Sequence, residues 1–135
     1  MPVRQKRHEV RKLLVIDRDT KLLASYRDLL VPYGFQVLMA SDGEEAAIIV
    51  ETNPDIMLVI LDVAMHRVDG QEWIRWFRTL RADSPLIVIS AHSLTADDEL
   101  CRPSAVLQKP FHVAELLDLV GLFCGLGTPV GVHGI

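Results

Sequence analysis

The sequence predicts an α/β fold, a doubly wound parallel sheet with helices on both faces. Three observations carry the prediction. Short apolar runs alternate with longer amphipathic segments along the whole chain. Four of the five runs are nearly solid in Leu, Ile and Val, as expected of parallel strands covered on both faces. The 135 residues, half of them hydrophobic, suffice for one core and leave little for a second.

The first run, Leu13 to Ile16, predicts strand one. Leu22, Leu23, Tyr26, Leu29 and Leu30 then recur at helical spacing, with Asp19 as cap and Pro32 and Gly34 as terminators. Phe35 to Ala40 predicts strand two. A helix from Ser41 or Asp42 turns Ala46, Ala47 and Val50 inward, and Asn53-Pro54 stops it. Ile56 to Leu61 predicts strand three; the helix after Gly70 carries Trp73, Ile74, Phe77 and Leu80 on one face. Leu86 to Ile89 and Ala105 to Leu107 predict strands four and five. The crossover between them, Ser93 to Ser104, is polar and contains Pro103, so any helix there is short and poorly anchored. A last helix after Pro110 repeats the apolar spacing with Leu116, Leu117, Val120, Phe123 and Cys124. Right-handed crossovers then complete the doubly wound arrangement.

Composition narrows the function classes. Disorder, collagen and a disulfide scaffold are excluded by the apolar content and by only two cysteines, Cys101 and Cys124, read as reduced packing residues. No apolar stretch is long enough for a membrane span or signal peptide, so the expected location is cytoplasmic. Net charge is −4, yet residues 1–12 hold five bases against one acid. The acidic remainder repels a nucleic-acid backbone, and no direct nucleic-acid or membrane partner is expected. Residues 1–11 read as a basic, solvated arm and residues 125–135, with four glycines, as a flexible tail.

Ligands of an open parallel sheet bind beyond the carboxyl ends of its strands. There stand Asp17 after strand one, Asp62 after strand three, Ser90 at the end of strand four and Lys109 after strand five. Singly, an Asp or Ser in such a place serves as a helix cap, and a Lys as a surface charge. Together they form a consistent chemistry: paired carboxylates hold Mg²⁺, a carboxylate attacks phosphorus, and a hydroxyl and an ammonium hold phosphoryl oxygens.

The segments LLVIDRD, LVILDVAMHRVDG, LIVISA and LQKPF, in this order, resemble the receiver domain of two-component response regulators over residues 12–124. Asp62 lies 45 residues after Asp17 and 28 before Ser90, and Asp69-Gly70 follows it by seven and eight. The resemblance implies a flavodoxin-like, CheY-like sheet of strand order 2-1-3-4-5 and a cis bond at Lys109-Pro110. It implies Asp62 as the phosphoacceptor, served by a sensor histidine kinase or phosphotransfer protein. Asp17, Asp62 and the Ala64 main-chain carbonyl would hold Mg²⁺, Ser90 would bond a phosphoryl oxygen, and Lys109 would pair with Asp62. The new charge would shift a two-state equilibrium and alter binding of a downstream protein. Such a domain is a signalling module, not a turnover enzyme, and is expected as a monomer or weak homodimer, alone or as part of a longer protein.

The chain departs from that pattern in several places. Arg18 stands where the family has a second metal-ligating acid, a permanent cation where a divalent one belongs. Mg²⁺ is therefore expected to bind weakly or not at all, with Asp19 a secondary candidate ligand. Val106 replaces the usual switch aromatic, and the 19 residues from Ser90 to Lys109 are fewer than usual. His66 and His92 are read as loop histidines. Trp76, at the edge of the apolar arc shared by Trp73, Ile74, Phe77 and Leu80, either folds back over the helix surface, the favoured reading, or is an exposed anchor that would make Trp73 and Trp76 a partner surface. Two rival functions follow: a pseudo-receiver that binds partners without phosphorylation, and a haloacid-dehalogenase-type phosphatase suggested by Asp17-Arg18-Asp19. The latter has Lys21 where Thr or Val is expected and lacks a cap insertion.

Overall fold

The computed structural model describes residues 10–64, 69–91 and 103–129. Five parallel strands form one sheet: β1 Arg11–Ile16, β2 Phe35–Ala40, β3 Ile56–Asp62, β4 Leu86–Ser90 and β5 Ala105–Gln108, in the order β2-β1-β3-β4-β5. The helices are α1 Thr20–Leu30, α2 Gly43–Thr52, α3 Gly70–Leu80 and α4 Val113–Cys124.

Alternation along the strands sorts the core onto two faces. Leu14, Ile16, Val59, Leu61, Leu86 and Val88 meet α2 and α3, where Ala46, Val50, Trp73, Ile74 and Phe77 are buried. Leu13, Val15, Leu58, Ile60, Ile87 and Ile89 meet Leu23, Tyr26 and Leu30 of α1 and Leu116 and Val120 of α4. The helices begin where local chemistry supplies a cap. Asp19 accepts from the Lys21 and Leu22 amides, Asp42 from Glu45, and Asp69 from Gln71. α1 ends in a single 3-10 turn closed by Gly34, at φ 92°. Gly70 packs so tightly on the residue that follows β3 that a Cβ would meet the Val63 carbonyl oxygen at 2.6 Å.

Several expectations are corrected. Leu80, the last residue of α3, is 53% exposed and lies outside the buried face of Trp73, Ile74 and Phe77. Trp76 takes the favoured of its two readings and is half-buried: its ring lies 5.6 Å from that of Trp73, against the α2–α3 core. Trp73 is wholly internal and donates its indole N–H to the Gly43 carbonyl. Arg11, assigned to the arm, opens β1 and lies 4.4 Å over the Phe35 ring. Its guanidinium also donates to the carbonyls of Cys124 and Gly125. Leu126, assigned to the tail, packs on the α1–α4 core. Cys124 is half-buried, and burial pushes its thiol up from the ordinary value. Cys101, His66, His92, residues 1–9 and 130–135, and most of the Ser93–Ser104 crossover lie outside the described residues.

Candidate functional site at the carboxyl end of the sheet

β1 and β3 lie side by side at the centre of the sheet, so their last residues deliver Asp17 and Asp62 to the same end, beside the reversal of strand order. Both are buried, 1% and 6% exposed. Each carboxylate is oriented by the amide two residues on: Asp19 N–H donates to Asp17 Oδ1 at 2.9 Å, and Ala64 N–H to Asp62 Oδ1 at 2.8 Å. β5 brings in the cation. Its terminus is tied to β4 by the Lys109 amide donating to the Ser90 carbonyl, 2.7 Å, and the Lys109–Pro110 bond is cis. Lys109 Nζ then donates to Asp62 Oδ2 at 2.6 Å and lies 3.7 Å from Asp17 Oδ2.

These residues line a cavity of about 220 Å³ together with Arg18, Asp19, Leu22, Ala64 and Ala91. Burial raises the Asp17 carboxyl above its ordinary range; the Asp19 amide pulls it down, but the nearby Asp62 charge reinforces the rise. Burial alone pulls the Lys109 ammonium down. The Asp62 hydrogen bond and the charges of Asp62, Asp17 and Asp19 outweigh it, so Lys109 is held above its ordinary value. Burial, with the fields of Asp17 and Asp62, also drives the Tyr26 phenol far up, keeping it neutral.

The candidates singled out from sequence mostly converge. Asp17, Asp62, Ala64 and Lys109 share the cavity; Ser90 is buried at the end of β4, where Ala91 forms the cavity wall. Arg18 lines the cavity, is exposed, and among the described residues forms no ion pair with Asp62, which Lys109 holds instead. Trp73 and Trp76 lie in α3, away from this cluster. Sequence reasoning missed the Ala64 amide, although an Asp with a free amide two residues on is itself the signal of such a turn. It also missed Ala91 and Leu22, whose presence depends on packing alone.

The cavity wall sets Asp17 and Asp62, the acids that would hold a divalent cation, beside the permanent charge of Arg18. Asp17 Oδ1 and both oxygens of Asp62 already have partners, and Asp19 Oδ1 is committed to capping α1. Asp17 Oδ2, buried and without a hydrogen bond, is the oxygen open to a cation. An entering Mg²⁺ would meet the positive charges of Lys109 and Arg18 in the same cavity wall. Among the described residues, no three His, Cys, Asp or Glu side chains are grouped to hold a metal.

A five-stranded parallel sheet of this order, with two buried acids and a lysine at its switch point, defines a CheY-like, flavodoxin-like α/β domain. The family model for the response regulator receiver domain matches residues 13–121, and the chain belongs to that family. It is 36% identical over 122 residues to the response regulator MprA of Mycolicibacterium vanbaalenii, covering 87% of this chain and 52% of that protein. It is 38% identical over 114 residues to the transcriptional regulatory protein PrrA of Mycobacterium leprae, covering 81% and 48%. The chain thus spans about half the length of these curated relatives. Among solved structures, CheY in a CheX–CheY–BeF₃–Mg²⁺ complex from Borrelia burgdorferi superposes with a TM-score of 0.75 at 25% identity, covering 83% of this chain and 87% of that one. The receiver domain of Francisella response regulator 1452 gives 0.74 at 28%, covering 84% and 95%. The family match displaces the phosphatase reading of Asp17-Arg18-Asp19, whose second acid is spent on a helix cap.

Proposed function

We propose that this receiver domain accepts a phosphoryl group on Asp62 from the phosphohistidine of a sensor histidine kinase or phosphotransfer protein, and signals by altered binding of a downstream protein. The observation that carries this reading is the 2.6 Å contact of Lys109 with a buried Asp62 at the rim of a solvent-connected cavity. In the transfer, an Asp62 carboxylate oxygen attacks phosphorus as the phosphorus–nitrogen bond breaks. The acyl phosphate forms, and the imidazole nitrogen leaves with the electron pair and takes up a proton. Lys109, released from the carboxylate oxygen, pairs with the phosphoryl oxygens, and Ser90 at the end of β4 is the candidate hydroxyl partner. The domain is a signalling module of residues 12–124, read as cytoplasmic; among the described residues no helix is long and apolar enough to cross a membrane. Mg²⁺ has at most a weak role here.

A pseudo-receiver that binds partners without phosphorylation is the second reading, favoured by Arg18 in the cavity wall. Incubation with a small phosphodonor and mapping of the label decides between them. We expect label on Asp62, lost in Asp62→Asn. An unlabelled wild-type chain would replace this reading with the pseudo-receiver, and label on Asp17 would sink both.

A further inference from the structure

The cavity wall holds three acids, Asp17, Asp19 and Asp62, against two bases, Arg18 and Lys109, a formal charge of −1. Converting the Asp62 carboxylate to an acyl phosphate adds roughly one further negative charge. Lys109 cannot answer that charge alone, because its single ammonium is already shared between Asp62 at 2.6 Å and Asp17 at 3.7 Å. Arg18 is the other base of the wall. It is exposed and has no ion pair among the described residues, so recruiting it breaks no existing contact. It follows Asp17 directly, and Asp17 is held in place by its own amide donating to the Ala40 carbonyl at 3.1 Å. A guanidinium stays charged at every working pH and offers a planar fork of donors matched to phosphoryl oxygens.

We propose that Arg18 is the built-in cation of this pocket: its guanidinium holds phosphoryl oxygens on Asp62 in the role of a metal ion, so the site binds phosphoryl-type anions without a divalent cation. The inference rests on Asp62 as acceptor. The charge logic is simple. Replacing Arg18 by an acid removes one positive charge and adds one negative, a change equal in size to the charge of one Mg²⁺. Arg18→Asp should therefore turn a metal-independent anion site into a metal-dependent one, and Arg18→Ala should leave a weakened site under both conditions.

The test uses beryllofluoride, a phosphoryl mimic, with ¹⁹F NMR of the bound fluorides on the full chain, once with a chelator and once with saturating Mg²⁺. Asp62→Asn serves as the blank. Wild type is expected to bind equally in both, within about twofold, and Arg18→Ala to bind about tenfold more weakly in chelator. Arg18→Asp should bind only when Mg²⁺ is present, and thermal unfolding of each variant reports that it is folded. Wild-type binding that requires Mg²⁺, or Arg18→Ala binding in chelator as tight as wild type, overturns the role of Arg18 and leaves the acceptor role standing. Wild-type binding in neither condition overturns both.

Discussion

The two ends of the sheet handle charge in opposite ways. At the amino end, cations donate to carbonyl, amide and carboxylate oxygens, although Arg81 Nη1 is buried without a hydrogen-bond partner among the described residues. Arg11 donates to the Cys124 and Gly125 carbonyls at the end of α4 and stacks over Phe35. Lys12 reaches Asn53 Oδ1 at 3.0 Å and Asp55 Oδ1 at 3.1 Å, and Arg81 Nη2 donates to the Val50 and Asn53 carbonyls at the end of α2. Positive charge at helix C-termini is what the helix dipole favours. At the carboxyl end, two anions are buried side by side on one shared lysine, and Asp17 Oδ2 has no hydrogen bond. One end ties helix ends to the sheet; the other gathers buried carboxylates that an arriving group can meet.

The largest predicted effect breaks that contrast at its centre. Lys109→Ala leaves Asp62 buried without a counter-charge and should cost about 2 kcal/mol in denaturant unfolding, a figure reduced for the partial exposure of Lys109. In an Asp62→Asn background the cost should fall to less than half, and an undiminished cost would mean that the two do not interact. The pH dependence has a definite sign. Because Lys109 is held above its ordinary 10.5, the pair contributes fully below that value and is lost as pH climbs through the higher folded value.

Arg11→Ala probes the opposite end. Loss of two carbonyl contacts and the Phe35 stack should cost about 1.5 kcal/mol in the same measurement, without changing beryllofluoride binding. Altered anion binding would show that the two ends communicate.

The smallest change carries the opposite sign. Asp17→Asn removes a buried charge whose carboxyl is raised by burial and should stabilise the fold by about 1 kcal/mol at neutral pH. The folded value lies above the ordinary 3.8, so the native state takes up its proton first on acidification. The gap between variant and wild type should be full above the folded value and close as pH falls toward 3.8. A destabilised variant at neutral pH would mean that Asp17 gains more from Lys109 than it loses to burial.

Much of the architecture was written locally. Strand positions followed from Leu-Ile-Val runs, and Asp19 and Asp42 marked helix starts because capping depends on residues two or three apart. Asp69, legible first as part of a motif, proved to be the third such cap. Leu80 was misread because helical spacing gives the angle of a side chain but not what packs over it. Arg11 was misread because its partners, Phe35 and the end of α4, are remote in sequence.

By itself, the chain determined which residues cluster, since parallel strands must deliver the residues that follow them to one edge; hence Asp17, Asp62, Ser90 and Lys109 could be named in advance. Only the tertiary structure decided how charge is shared among them: that Lys109 takes Asp62, that Asp17 keeps an oxygen without a hydrogen bond, and that Arg18 is left without a partner among the described residues. Topology follows from periodicity, whereas pairing among like and unlike charges turns on ångström differences in distance and on burial, which no spacing in the sequence encodes.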